Sequence, residues 1–197
     1  MEISIIEKKI LLSLARKTIY KILNGESTEP QEILIDILES FNNPINELSA
    51  IYKKMGCFVT LHIKKNLRGC IGTFREDKEL YLNVHDMAIQ AAFNDPRFQQ
   101  LTYDEFDKID IEISVLTPMT KITNLDEIVV GRDGLYVKKG FRSGVLLPQV
   151  ATEYGWNKEE FLSYTCRKAG LNHDIWKYEP IEIYRFSAII FSEKELN

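Results

Sequence analysis

Apolar residues follow a helical period early in the chain and a strand period further on. Ile10, Leu14, Ile19, Ile22 and Leu23 form a stripe that predicts a first helix. Ser4 and Glu7 are the polar pair of a capping box at its start, and Gly25 supplies its stop. Pro30 opens a second helical pattern with Ile33, Leu34, Ile37, Leu38 and Phe41 on one face, broken by Asn42-Asn43-Pro44. Ile45 to Met55 fits helix and loop equally.

From Cys57 the period becomes two. Cys57–Ile63 and Leu67–Phe74 read as the strands of a hairpin, turning at Lys65-Asn66 because Asn tolerates a positive φ. An amphipathic helix follows, with Leu80, Val84, Met87, Ala88 and Ala91 inward, ending before Asn94-Asp95-Pro96. Asp110 to Thr117 alternates as a strand up to Pro118. Ile128 to Leu147 reads as a small meander punctuated by Asp133-Gly134 and Ser143-Gly144. Pro148 stands where a first helical residue would be. Asn157 caps a further helix carrying Phe161, Leu162, Thr165, Cys166 and Ala169, and Gly170-Leu171 stops it. Ile181 to Phe191 is again strand-like. This order predicts an α+β protein whose sheets are mostly antiparallel and flanked by helices.

Composition narrows the class of function. With 197 residues, 45% of them hydrophobic and 27% charged, the chain is long enough for one large domain or two small ones. Its 25 basic and 29 acidic residues give a net charge of −4, which argues against nucleic-acid binding by charge. The opening Met1-Glu2-Ile3-Ser4 has no basic segment leading into an apolar core, and no apolar run reaches the roughly 20 residues of a membrane span. Three unevenly spaced cysteines, Cys57, Cys70 and Cys166, do not make a disulfide framework. A cytoplasmic location, with no membrane contact, is therefore the expectation.

The densest chemistry is Leu67-Arg68-Gly69-Cys70-Ile71-Gly72. Alternation puts Arg68, Cys70 and Gly72 on one face, so a guanidinium can lie near the thiol and favour the thiolate. Gly69 and Gly72 leave room for a ligand or for another backbone. Cys70 is read as a nucleophile with Arg68 in support; equally, a free Cys beside small residues can be packing alone. With a turn of only Lys65-Asn66, Leu61 stands opposite Cys70 and His62 faces away, whereas a longer turn brings His62 to the thiol's face. Asp95 and Arg97 can hold each other or present a charge to a ligand, and the same residues can simply end a helix. Gln149, at a helix start, is placed for an anion or for a plain N-terminal turn. His85 and His173 read as surface or satisfied histidines, and Cys166 as core. Cys57, His62 and Cys70 are separated by four and seven residues, which fits no usual zinc pattern, so no metal is expected. No phosphate loop, dinucleotide fingerprint or serine nucleophile elbow is present, which leaves any cofactor unknown.

The hexapeptide Leu67–Gly72 resembles the signature of the AMMECR family, also called the AmmeMemoRadiSam system protein A family. Gly56–Leu61, Ala91–Phe98, Ile113–Leu116, Gly134-Leu135, Leu146–Ala151 and Lys168–Leu171 accompany it in the family's order. The resemblance spans residues 56–191. It implies a single unit over residues 1–197, with a larger subdomain from the N- and C-terminal segments and a smaller α/β subdomain from the middle. It also implies a cleft between them that the signature lines. The reading of the residues themselves places a small or anionic ligand in such a cleft near Gly69, Gly72, Asp95, Arg97 and Gln149, with catalysis through Cys70 as one reading. The family name further implies, as partners, a Memo-type protein and a radical S-adenosylmethionine protein, and hence the alternative of a non-catalytic adaptor.

Overall fold

A computed structural model describes residues 2–42 and 48–196. The Asn43-Pro44 break and the first residues of the Ile45–Met55 stretch lie outside the described residues. The rest of that stretch is turns and bends, closed by a bridge from Lys54 to Glu79. The protein is α+β, with two antiparallel sheets and helices packed on them. The chain divides into two compact units: residues up to Val115 together with those from Ile189 on, and residues 116–188.

The first unit begins with α1 (Ile5–Leu23), whose Ser4–Glu7 capping box is formed. Glu7 does more than cap: it is buried, and its second oxygen accepts the Ala50 N–H at 2.5 Å. Next come α2 (Pro30–Ser40), the hairpin β1 (Cys57–Ile63) and β2 (Asn66–Thr73), α3 (Leu80–Phe93), the single turn α4 (Tyr103–Phe106) and β3 (Ile109–Leu116). After the second unit, β8 (Ala188–Ser192) and α7 (Glu193–Leu196) complete it. The strand order is β2-β1-β3-β8, so β2 is an edge. Helix α3 lies on β1 and β2, and α1 lies on α3.

Strand alternation divides this sheet by chemistry. Cys57, Val59, Leu61, Ile111, Ile113 and Val115 are fully buried in the unit's core. Their neighbours Phe58, Thr60 and His62 of β1 and Asp110, Glu112 and Ser114 of β3 pair in register and share the other face. The C-terminal turn is pinned back by Glu193, which accepts from Arg16 Nη2 at 2.6 Å and from the Ile111 N–H at 2.9 Å.

The second unit holds β4 (Thr120–Ile122), β5 (Gly134–Lys139), β6 (Arg142–Leu146), α5 (Pro148–Glu153), α6 (Lys158–Lys168) and β7 (Glu182–Phe186). Its sheet runs β4-β7-β5-β6. Leu135, Val137, Phe161, Leu162 and Cys166 form its core. The glycine pairs that suggested turns here are not turns. Gly134 opens β5 under the Phe186 ring, and Gly144 lies inside β6, where a Cβ would sit 2.4 Å from the Ala169 nitrogen. The β5–β6 connection is instead Gly140-Phe141. Ile181 to Phe191 is likewise two strands, β7 and β8, which leave Ser187 between them and join different sheets. Among the described residues no helix is long and apolar enough to cross a membrane.

Candidate functional site

The signature lies on β2, and its register follows from the turn before it. Lys64 and Lys65, both with positive φ (50° and 72°), make the two-residue connection, one residue earlier than Lys65-Asn66. That pattern suits a hairpin whose twist needs left-handed central residues. Ile63 then pairs with Asn66 and His62 with Leu67, while Leu61 pairs with Gly69. Arg68 is therefore the extra residue of a bulge. Beyond it Thr60, not Leu61, stands opposite Cys70, and His62 shares Thr60's side of the sheet.

Thr60 donates its hydroxyl hydrogen to Cys70 Sγ at 3.2 Å. The main chain of Cys70 points the other way, off the edge of the sheet. Its N–H donates to Asp95 Oδ2 at 2.9 Å, and its carbonyl accepts from Arg97 Nη2 at 2.9 Å. Thr60 and Cys70 are thus a pair without mutual main-chain hydrogen bonds, the kind whose side chains approach most closely. Asp95 and Arg97 stand in for the missing next strand.

Asp95 is buried just beyond α3 and is saturated. Oδ1 accepts the Arg97 N–H at 3.1 Å and Arg97 Nε at 3.0 Å, while Oδ2 accepts Arg97 Nη2 at 2.8 Å besides Cys70. The bond from the Arg97 guanidinium, above all, holds this carboxyl well below the usual carboxylate range. Arg97 in turn has its pKa raised, by Asp95 first and to a smaller extent by Cys70. About half of the Arg97 side chain is open to solvent (53%). The cation beside Cys70 is therefore Arg97.

Arg68 is turned from the bulge toward α4, and its side chain is largely buried. Its Nε and Nη2 each donate to Glu105 of α4 at 2.9 Å, and Nη2 also reaches the Gln100 carbonyl at 3.3 Å. This fork brings the Glu105 carboxyl down to about 2. Phe98 lies between the two arginines, its ring centroid 5.9 Å from Arg68 Cζ and 5.6 Å from Arg97 Cζ. Arg68 Nη1 is buried with no partner among the described residues.

The two glycines of the signature are occupied by packing. A Cβ on Gly69 would lie 2.1 Å from the Ala91 carbonyl oxygen, so its bareness lets α3 approach on the face away from Cys70. A Cβ on Gly72 would lie 2.2 Å from the Phe58 ring, which stacks edge-on to Phe74. Gln149 belongs to the second unit, in α5, and its Oε1 is buried without a partner among the described residues. His85 is buried and satisfied, with Nε2 at 2.7 Å from the Thr28 carbonyl oxygen, and His173 pairs with Asp174.

Thr60, Phe98, Glu105 and Glu112 were not singled out from the sequence. Glu112 of β3 is directly opposite Thr60, so Cys70, Thr60 and Glu112 form one polar row across three strands. Burial raises the Glu112 pKa, opposed in part by His62. The polar alternation Asp110-x-Glu112-x-Ser114 within an apolar strand was the available signal. Of the three thiols, those of Cys57 and Cys166 are buried, and burial pushes Cys166 up to about 11 and Cys57 higher still. Cys70 alone is partly open. Beside Gly72 and Thr73 a recess of about 280 Å³ is lined by Asn83, Asp86 and Met87 of α3. Among the described residues no group of three or more His, Cys, Asp or Glu side chains is placed to hold a metal. Chemically, the arrangement offers the sulfur of a partly open residue, a hydroxyl on it, a tethered cation beside it and a carboxyl of raised pKa on the same sheet face.

The model of one protein family, AMMECR1, matches residues 12–191. Protein MJ0810 of Methanocaldococcus jannaschii is 46% identical over 167 residues, covering 81% of this chain and 80% of its own. A protein of Thermococcus gammatolerans is 43% identical over 197 residues, covering 94% of this chain and 90% of its own. Among solved structures, the uncharacterized protein PH0010 of Pyrococcus horikoshii is 41% identical. It aligns with a TM-score of 0.75 over 93% of this chain and 90% of that one.

Proposed function

The chain belongs to the AMMECR1 family, and on that premise we propose that the sheet face around Cys70 binds a small anionic ligand, with the Cys70 sulfur as its reacting group. One observation carries this reading. The single partly open thiol accepts a hydroxyl hydrogen from Thr60 and has a half-exposed guanidinium, Arg97, fixed beside it by a buried carboxylate. Arg97 is the anion's counter-charge, and Asp95 is the positioning residue that aims it. For a ligand with an electrophilic carbonyl, the step is addition of the thiol across C=O. Sulfur bonds to carbon, the thiol proton ends on oxygen, and no oxidant or reductant is consumed. Glu112, protonated to higher pH than an ordinary Glu, supplies a second proton-carrying group on the face.

Charge-selective alkylation tests both halves of the reading. Iodoacetate and iodoacetamide deliver the same carbon with and without a negative charge, and peptide mapping locates the modified thiol. Cys70 is expected to react first, with a higher iodoacetate-to-iodoacetamide rate ratio than glutathione. Arg97→Gln should bring that ratio down to the glutathione value. An unmodified Cys70 removes the reacting-group role, and a ratio indifferent to Arg97→Gln removes the anion site.

A further inference from the structure

The second unit carries an aromatic residue that its fold does not use. Strands β5 and β6 are joined by two residues, between the paired Lys139 and Arg142. Gly140 has φ +58° and Phe141 does not have a positive φ. This is the type II′ pattern, in which only the first central residue must be glycine. The second position places no demand that an aromatic side chain meets, and a polar residue there would turn the chain as well. Phe141 nonetheless occupies it, at 111% relative exposure, the highest of the exposed large hydrophobic residues among those described.

Beside the tip is a groove of about 640 Å³, lined by Phe141, Leu171 and Ile175 and rimmed by Lys139, Arg142 and Asn172. Leu171 and Ile175 pack against the unit's core, so the floor is fixed. The rim cations are Lys139 and Arg142, while Lys138 lies on the other face of β5 in register with Glu182. Lys139 is paired with Glu179, while Arg142 donates Nη1 to the Gly170 carbonyl at 3.0 Å from an exposed side chain. A tight hairpin therefore presents one aromatic anchor beside an apolar slot with a fixed floor and a basic rim.

From this we infer that the β5–β6 tip and its groove dock a segment of a partner protein in which an apolar side chain stands beside an acidic residue. The apolar side chain enters the slot against Phe141, and the acid meets Arg142 on the rim. A second copy of this chain fits less well, since a symmetric contact would bring two Arg142 side chains together. A bilayer would take up Phe141 and the cations but would leave the groove unused.

The test uses the full chain as bait for a random peptide library displayed on phage, with recovered peptides synthesised and titrated by fluorescence anisotropy. Recovered sequences should share an apolar residue beside an Asp or Glu. Phe141→Ser should weaken them at least tenfold with an unchanged circular dichroism spectrum, because Gly140 sets the turn. Arg142→Gln should weaken them several-fold and flatten their salt dependence. Recovery of no such sequence, or of peptides that bind Phe141→Ser equally well, overturns the inference. So does Phe141-dependent binding to phosphatidylcholine–phosphatidylserine vesicles, or a Phe141-dependent dimer in sedimentation velocity, in the absence of peptide binding.

Discussion

Replacing Asp95 with Asn probes the joint between the edge of β2 and the end of α3. The carboxylate takes four donors, two on each oxygen: the Arg97 N–H and Nε on one, the Cys70 N–H and Arg97 Nη2 on the other. Asn keeps one oxygen and turns an NH2 group toward the other two donors, so two bonds are lost and two donors face a donor. A hydrogen bond to a charged group contributes about 1.5–3 kcal/mol, and breaking a buried pair from one side costs about 3–5 kcal/mol. Arg97 is half exposed, so screening puts the expected cost near 3 kcal/mol. For a chain of this size that is a drop in Tm of roughly 6–12 °C. The sign with pH follows from the lowered folded-state pKa of Asp95. Its contribution is fully present above the unfolded value near 3.9 and is lost as pH falls further toward the folded one. Urea unfolding of both proteins should show a constant gap from neutral pH down to about 5, narrowing below about 4. A gap under about 0.5 kcal/mol at neutral pH, the range of ordinary surface substitutions, or one that does not narrow in acid, refutes the joint.

The Arg68–Glu105 fork is testable by a double-mutant cycle. The fall of the Glu105 pKa from 4.5 to about 2 corresponds to roughly 3 kcal/mol, which partial exposure of the pair reduces to about 1–2 kcal/mol. That coupling should be complete above about pH 4.5 and vanish as pH falls through about 2, and a cycle energy near zero at pH 7 excludes it. Gly69→Ala forces a Cβ onto the Ala91 carbonyl and should cost about 1–3 kcal/mol in urea unfolding; a neutral result means that α3 does not approach there. Native alkylation at pH 8 should spare Cys166, whose pKa of about 11 leaves on the order of one thiolate in a thousand, and Cys57 with it. Modification of either at a rate near that of Cys70 contradicts their burial.

What could be read from the chain depended on how far apart the partners are. The Ser4–Glu7 capping box and the C-terminal end of α3 are set by neighbours in sequence, and they form where the pattern put them. The hairpin turn escaped because two lysines occupy left-handed positions that usually take Asn or Gly. The bulge at Arg68 then moved Thr60, rather than Leu61, opposite Cys70. The Asp95 carboxyl and the Cys70 N–H are 25 residues apart, and no local rule joins them. Gly69 looked like open space, whereas it is filled by a helix carbonyl whose approach no strand pattern reveals. Arg68 and Cys70 share a signature, yet a single bulge sends the guanidinium to Glu105 and leaves Arg97 as the neighbouring cation.

The discontinuous make-up of the first unit bears on how the chain is made. Residues 116–188 are one continuous stretch, but the sheet beside α3 lacks β8, and Arg16 and the Ile111 N–H lack Glu193, until the residues after 188 are joined. On a ribosome working from the N-terminus, the helices and hairpin that emerge first therefore wait longest for their final partner. The later segment, with all its own strands in hand, is complete before them. The Ile111 N–H and one edge of the Arg16 guanidinium thus stay without Glu193 while residues 116–188 are made, and the segment up to Val115 is the one for which a chaperone would have most to shield.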